Sequence, residues 1–100
     1  MSTARWRFTA ELWLAEASDA WVFVSLPEEL TDEVRLAGGP PRGFGSVRVE
    51  VLAGGTTWRT SVFPDARSGC FVLPVKRAVR VAEGLEVGDR GDFEIEVVEP

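Results

Sequence analysis

Histidine and tyrosine are absent from this 100-residue chain, and cysteine and methionine occur once each. Without histidine, the usual general base near neutral pH, the commonest metal ligand and every Ser-His or Cys-His nucleophile pair are excluded together. The single cysteine, Cys70, rules out an internal disulfide and lacks the companions of a thiolate metal site. It reads as a small hydrophobe at the start of a strand. The only tight carboxylate pairs, Glu28/Glu29 and Asp32/Glu33, suit a solvated helix start better than an acid–base dyad. These absences lead us to expect a protein that is not an enzyme, with no catalytic residues, no metal and no cofactor.

Long apolar runs are missing too. Nothing approaches the roughly eighteen residues of a membrane-spanning helix, and Met1-Ser2-Thr3-Ala4-Arg5-Trp6-Arg7 lacks the apolar centre of a secretory leader. A cytoplasmic protein without membrane contact is the expectation. Positive charge is in deficit: 11 Lys and Arg against 16 Asp and Glu leave a net charge of −5, which disfavours general nucleic-acid binding because phosphate neutralisation needs a cationic surface. The remaining composition, 45% hydrophobic and 27% charged, is that of a soluble globular chain, and its length fits one domain over residues 1–100.

What is present is a phrase used twice. Phe23-Val24-Ser25-Leu26-Pro27 is followed by the acidic Glu28, Glu29, Asp32 and Glu33, and Phe71-Val72-Leu73-Pro74 by the basic Lys76, Arg77 and Arg80. In each copy an apolar run closes on Leu-Pro and enters a segment with helical potential. Proline has no N–H for a ladder, yet its fixed φ suits the first turn of a helix. The spacing predicts one helix from Pro27 through about Val34, and a second from about Pro74 to Ala82 with Ala78, Val79 and Ala82 inward and Gly84 as C-terminal cap.

Elsewhere the period is two. Trp6, Phe8, Ala10, Leu12 and Leu14 alternate with the polar Arg7, Thr9 and Glu11, a rule that Trp13 breaks, and Val47, Val49 and Val51 alternate with Ser46, Arg48 and Glu50. Phe93, Ile95 and Val97 repeat the pattern near the end. Turn chemistry at Glu16-Ala17-Ser18-Asp19 predicts an antiparallel hairpin between the first strand and Trp21–Leu26. Gly54-Gly55 predicts a second hairpin, running back through Thr56–Phe63, and Gly38-Gly39-Pro40-Pro41-Arg42-Gly43 is a loop. Trp13 and Trp21 fall out of the inward pattern, which gives either a cross-strand aromatic pair or a partner-binding patch. The expected fold is mainly β: a small closed or partly open β-barrel of about six strands with two short helices and an internal pseudo-twofold duplication. Trp6, Phe8, Val49, Trp58, Phe71, Phe93 and Ile95 should share its interior.

Several motifs carry a family resemblance. Phe8-Thr9-Ala10, the Phe-Val-x-Leu-Pro strand end, Trp58-Arg59-Thr60-Ser61, Phe71-Val72-Leu73-Pro74-Val75-Lys76 and Gly84-Leu85-Glu86-Val87-Gly88-Asp89 together resemble the bacterial domain of unknown function 1905, over nearly the whole chain. The resemblance implies a small β-barrel that occurs alone or joined to a bacteriocin-protection domain of the YdeI/OmpD-associated type, with no assigned catalytic residues. A second, local likeness runs from Leu73 to Ile95: this stretch resembles the swapped-hairpin half-barrel of AbrB-like and MazE-like regulators and antitoxins, in which two chains complete one barrel and offer basic residues to DNA.

Two functional expectations follow. The first is a non-catalytic binding or accessory module that takes a small molecule or a protein partner at a barrel mouth lined by Trp58, Arg59, Lys76 and Arg80. Set against it, Arg59 could serve only as a cross-strand partner of Glu50 or Glu94, and Lys76, Arg77 and Arg80 only as a solvated helix face. The second is a DNA-binding regulator using Lys76, Arg77 and Arg80, a thin cationic footprint whose binding would be weak and steeply salt-dependent. Either way a monomer or weak homodimer is expected.

Overall fold

Alternation of valine with polar residues builds the middle of the molecule. The computed structural model describes residues 5–15, 21–39 and 45–99. Its elements run β1 (Arg5–Glu11), β2 (Trp13–Leu14), β3 (Val22–Ser25), α1 (Glu28–Ala37), β4 (Val47–Ala53), β5 (Thr56–Pro64), β6 (Phe71–Pro74), α2 (Arg77–Glu83) and β7 (Arg90–Glu99). Seven antiparallel strands in the order β1-β7-β4-β5-β6-β3-β2 curl into a half-barrel. Val47, Val49 and Val51 on β4 point into the core, with Arg48 exposed between them. Phe8, Trp58, Phe71, Phe93 and Ile95 join them in one apolar cluster, Phe8 stacking on Phe93 at 5.6 Å, and Trp6 packs against its margin.

The first strand departs from its own pattern. The even positions from Trp6 to Leu14 are all apolar, but the chain bends at Leu12 and changes partners: Arg5–Glu11 pairs with β7, and only Trp13–Leu14 pairs with β3. The expected first hairpin is therefore confined to its tip. Leu12 is gripped at the bend by the turn before β7, its N–H donating to Asp89 O (2.9 Å) and its carbonyl accepting from the Gly88 N–H (2.8 Å). Beyond the bend Leu14 is left exposed instead of buried. One segment thus holds both ends of the strand order, and β1 and β3 come within 8 Å of each other between Cα atoms. The expected turn at Glu16–Asp19 and residues 40–43 of the expected loop lie outside the described residues.

Along β1 and β7 the register places Arg5 opposite Glu96 and Arg7 opposite Glu94, and both pairs form ion pairs, at 2.8 and 3.0 Å. The hydrogen bond that Arg5 donates to the Glu96 carboxylate raises the Arg5 pKa above its ordinary value, with desolvation opposing it. Exposed pairs like these fix register more than they add stability.

The two Leu-Pro segments are neighbours. β3 and β6 pair antiparallel, Val24 opposite Leu73, so the helices that follow them leave from opposite ends of the pair. The acidic residues of α1 and the basic residues of α2 are separated by that geometry. α1 begins after Pro27, whose carbonyl accepts from the Thr31 N–H (2.9 Å), and it runs three residues past the expected end. Its buried face is Leu30, Thr31 and Val34. Thr31 is the one polar residue buried among those described, and its hydroxyl accepts from the Phe71 N–H at 3.0 Å. Phe71 lies one residue beyond the last β3–β6 pair, Ser25–Val72; its carbonyl still accepts from the Leu26 N–H (2.9 Å), and its N–H takes the Thr31 hydroxyl in place of a ladder carbonyl. Thr31→Val keeps the shape and deletes the acceptor, so we predict a loss of about 1–3 kcal/mol in urea denaturation. A loss under about 0.5 kcal/mol would mean that the N–H finds water instead.

The second helix starts later than expected. Pro74 is the last residue of β6, and the Val75 N–H still donates to Val22 O at 2.9 Å, which keeps the chain extended until Lys76. Only Val79 of α2 is buried; Ala78 and Ala82, expected inward, are exposed. Gly84 caps the helix in the left-handed region (φ 66°), as expected. The helix end is tied to the β4–β5 hairpin by Glu83, whose carboxylate accepts from the Gly55 N–H and the Thr56 hydroxyl. A side chain at Gly54 (φ +59°) would meet the Oε1 of that carboxylate.

Candidate functional site

A gap in the sheet makes the site. β5 pairs with β4 along most of its length, from Thr56 to Val62, but with β6 only at Phe63–Val72 and Pro64–Phe71. Continued at that register, the ladder would set Ser61 opposite Pro74. Proline cannot donate there, and the two strands part. The space between them is a hollow of about 450 Å³.

Its walls come from four elements. β5 contributes Trp58, Arg59 and Thr60, the end of β6 and its exit contribute Pro74, Val75 and Lys76, and α2 contributes Arg77 and Arg80. Trp21 and Val22 at the start of β3 close the fourth side. All four residues expected at a barrel mouth, Trp58, Arg59, Lys76 and Arg80, therefore border one cavity, and so does Arg77 of the alternative DNA-binding trio. They are not equally available. Trp58 is 7% exposed and belongs mainly to the core, whereas Arg59, Lys76 and Arg77 are exposed and Arg80 is half-buried.

Each cation is held differently. Arg59 faces Glu50 across the β4–β5 register with Nε 3.7 Å from Oε2, a long ion pair, as its expected structural role required. Glu94, the other partner considered, is engaged instead by Arg5 and Arg7. Arg80 folds back so that its Nε donates to Val75 O at 3.0 Å, capping the carbonyl just past the strand end. For Lys76 and Arg77 there is no ion pair or hydrogen bond from the side chain among the described residues.

Trp21 is the lining residue that sequence reasoning placed elsewhere. It does not meet Trp13 directly: both rings pack on Phe23, Trp13 at 5.2 Å and Trp21 at 5.9 Å with its plane only 17° from parallel. Trp13 is fixed by donating its indole N–H to Ser25 Oγ (3.0 Å), while Trp21 stays 53% exposed at the cavity edge. Its apparent misfit with the inward pattern was the available signal, since a tryptophan turned from the core needs another surface. Cys70 is half-buried beside the β5–β6 turn and does not line the cavity.

Among the described residues no three His, Cys, Asp or Glu side chains converge as metal ligands, and no helix is long and apolar enough to cross a membrane. Fold and site together define a small, mainly β half-barrel domain with an apolar hollow rimmed by cations. The chain belongs to the family described as Domain of unknown function (DUF1905), whose model matches residues 8–95. No curated protein matches it.

Proposed function

We propose that this chain is a non-catalytic binding module whose ligand is a small molecule seated in the cavity between β3, β5, β6 and α2. One observation carries the reading: tryptophans and cations from four separate elements converge on a single concavity, and its volume of about 450 Å³ falls within the ~300–1,000 Å³ typical of small-molecule sites. Among the described residues no carboxylate, thiol or imidazole lines it, and the wall they form offers no acid–base or nucleophile–base pair. The reading takes the half-barrel to be closed by the Arg5–Leu14 segment, and the two Leu-Pro corners to be copies of one device, with the second copy's exit turned into a pocket wall. It also takes the module to work as a soluble bacterial protein in the cytoplasm.

A fragment library screened by thermal shift tests this. Hits that raise the melting temperature are expected to lose at least about tenfold in affinity in Trp21→Ala, a change to a half-exposed residue that spares the core. Unchanged affinity of every hit in that variant would refute the assignment of the cavity.

A further inference from the structure

The charge around the hollow is one-sided. Arg59, Lys76, Arg77 and Arg80 all border it and, among the described residues, no carboxylate does, although acids outnumber bases in the chain by 16 to 11. Glu50, the ion-pair partner of Arg59, sits 3.7 Å from its Nε, beyond hydrogen-bonding distance, and among the described residues no carboxylate pairs with the other three. Arg80 spends its Nε–H on Val75 O and keeps its remaining guanidinium donors free of any partner among the described residues. Like charges gathered at one concavity repel, and an anion placed among them relieves that repulsion.

The apolar part of the wall is flat and stiff. Trp21 is braced from behind by its near-parallel stack on Phe23, and Trp58 is locked in the core at the other side. Pro74 and Val75 lie between them. Two indoles held in place by packing offer surface to a planar body at small entropic cost.

From this combination we propose that the cavity binds an organic oxyanion, a flat apolar body carrying a carboxylate or phosphate that the rim cations receive. The proposal rests on the cavity being a ligand site. It specifies what that site selects: sign of charge first, planarity second. Duplex DNA is a poorer match, because the cations ring a concavity instead of lining an exposed stripe, and its phosphates would have to enter a hollow walled by tryptophan.

Matched probes separate these possibilities. The indole N–H signals of Trp21 and Trp58, assigned with Trp→Phe variants, would be followed by NMR during titration with naphthoate, naphthyl phosphate, naphthamide and naphthylmethylammonium. Naphthoate or naphthyl phosphate is expected to bind at least about tenfold more tightly than naphthamide, the ratio that one charge-assisted hydrogen bond supplies, and the ammonium probe most weakly. Lys76→Met, at an exposed side chain, and Arg80→Met should each erase most of that preference while leaving naphthamide within about twofold; the first needs no change to the packing, so it keeps the test valid if the second perturbs the fold. Equal binding of naphthoate and naphthamide, both weakened by Trp21→Ala, would overturn the oxyanion assignment and leave the cavity standing. Silence of both indole signals toward every probe would overturn the cavity as well. Displacement of naphthoate by a short DNA duplex at lower concentration would replace the small-molecule reading with the nucleic-acid one.

Discussion

Val49→Asp is expected to abolish the cooperative unfolding transition. Val49 is fully buried in the middle of β4, opposite Thr60 on one neighbour and Val97 on the other. The substitution first forfeits the burial of a valine side chain, about 1.5–3 kcal/mol. It then puts a carboxyl into a cluster composed of apolar residues alone, where the charged form finds no cation and the neutral form no designed acceptor. The carboxyl is driven toward its protonated state, and the cost of that at neutral pH adds to the first. Together they approach the ~5–15 kcal/mol that a domain of this size has to lose. The sign of the pH effect follows. A carboxyl whose folded pKa is raised penalises folding above its unfolded pKa and ceases to do so below it, so the variant should be closest to wild type near pH 4 and worst near pH 7. Val49→Thr, of equal shape and uncharged, should retain a sharp transition at both. Far-UV circular dichroism against temperature checks all three chains. A sharp melt of Val49→Asp at pH 7 would place Val49 outside the core.

That prediction was open to the sequence because β4 is a case where the local pattern and the tertiary environment agree. Val47, Val49 and Val51 alternate with polar residues and are flanked on both sides by strands, so periodicity alone reports their orientation. The same reasoning fails at Leu12. The even positions there are as consistently apolar as in β4, and only Trp13 breaks the alternation; the bend is held by backbone hydrogen bonds with Gly88 and Asp89, 76 and more residues away, which the local pattern does not reveal. Pro74 shows a different limit. A proline before a charged, helix-prone segment fits the first turn of a helix, and at Pro27 it stands immediately before one. At Pro74 the Val75–Val22 hydrogen bond holds the next residue in the sheet, and the helix waits until Arg77. Identical local grammar gives two outcomes because the neighbour differs.

The site divides along the same line. Trp58, Arg59, Lys76 and Arg80 could be grouped from sequence because Trp58 and Arg59 stand near the start of the hairpin return and Lys76 and Arg80 follow the Leu-Pro exit, and antiparallel pairing brings the start of one strand beside the end of its neighbour. Trp21 could not, and neither could the cavity itself. The hollow exists because β5 and β6 stop pairing after two residue pairs, a property of the relation between two strands that neither strand carries alone.

The second large effect is expected at Phe71, where sheet, helix and the end of the β5–β6 ladder meet. The ring is 1% exposed, its N–H is held by Thr31 and its carbonyl accepts from the Leu26 N–H at 2.9 Å. Phe71→Ala should therefore cost about 3–5 kcal/mol, the transfer loss plus a cavity that two fixed backbone bonds prevent from collapsing. Arg35 lies over the ring with Cζ 5.1 Å from its centre, but its side chain is half exposed, so the cation–π share should be small, about 0.5–1 kcal/mol at most. A double-mutant cycle with Arg35→Ala measured by urea denaturation separates the two: a coupling well below the Phe71→Ala loss is the expected result, and a coupling that accounts for most of it would shift the weight from packing to the cation. Phe71 is also a control for the site. It precedes Pro74 by three residues yet does not line the cavity, so in buffer where Phe71→Ala is still folded the naphthoate affinity should match wild type. If binding instead fell in step with stability, the walls of the hollow would be held open by the α1 side of the core, and the parting of β5 from β6 would not be sufficient to form it.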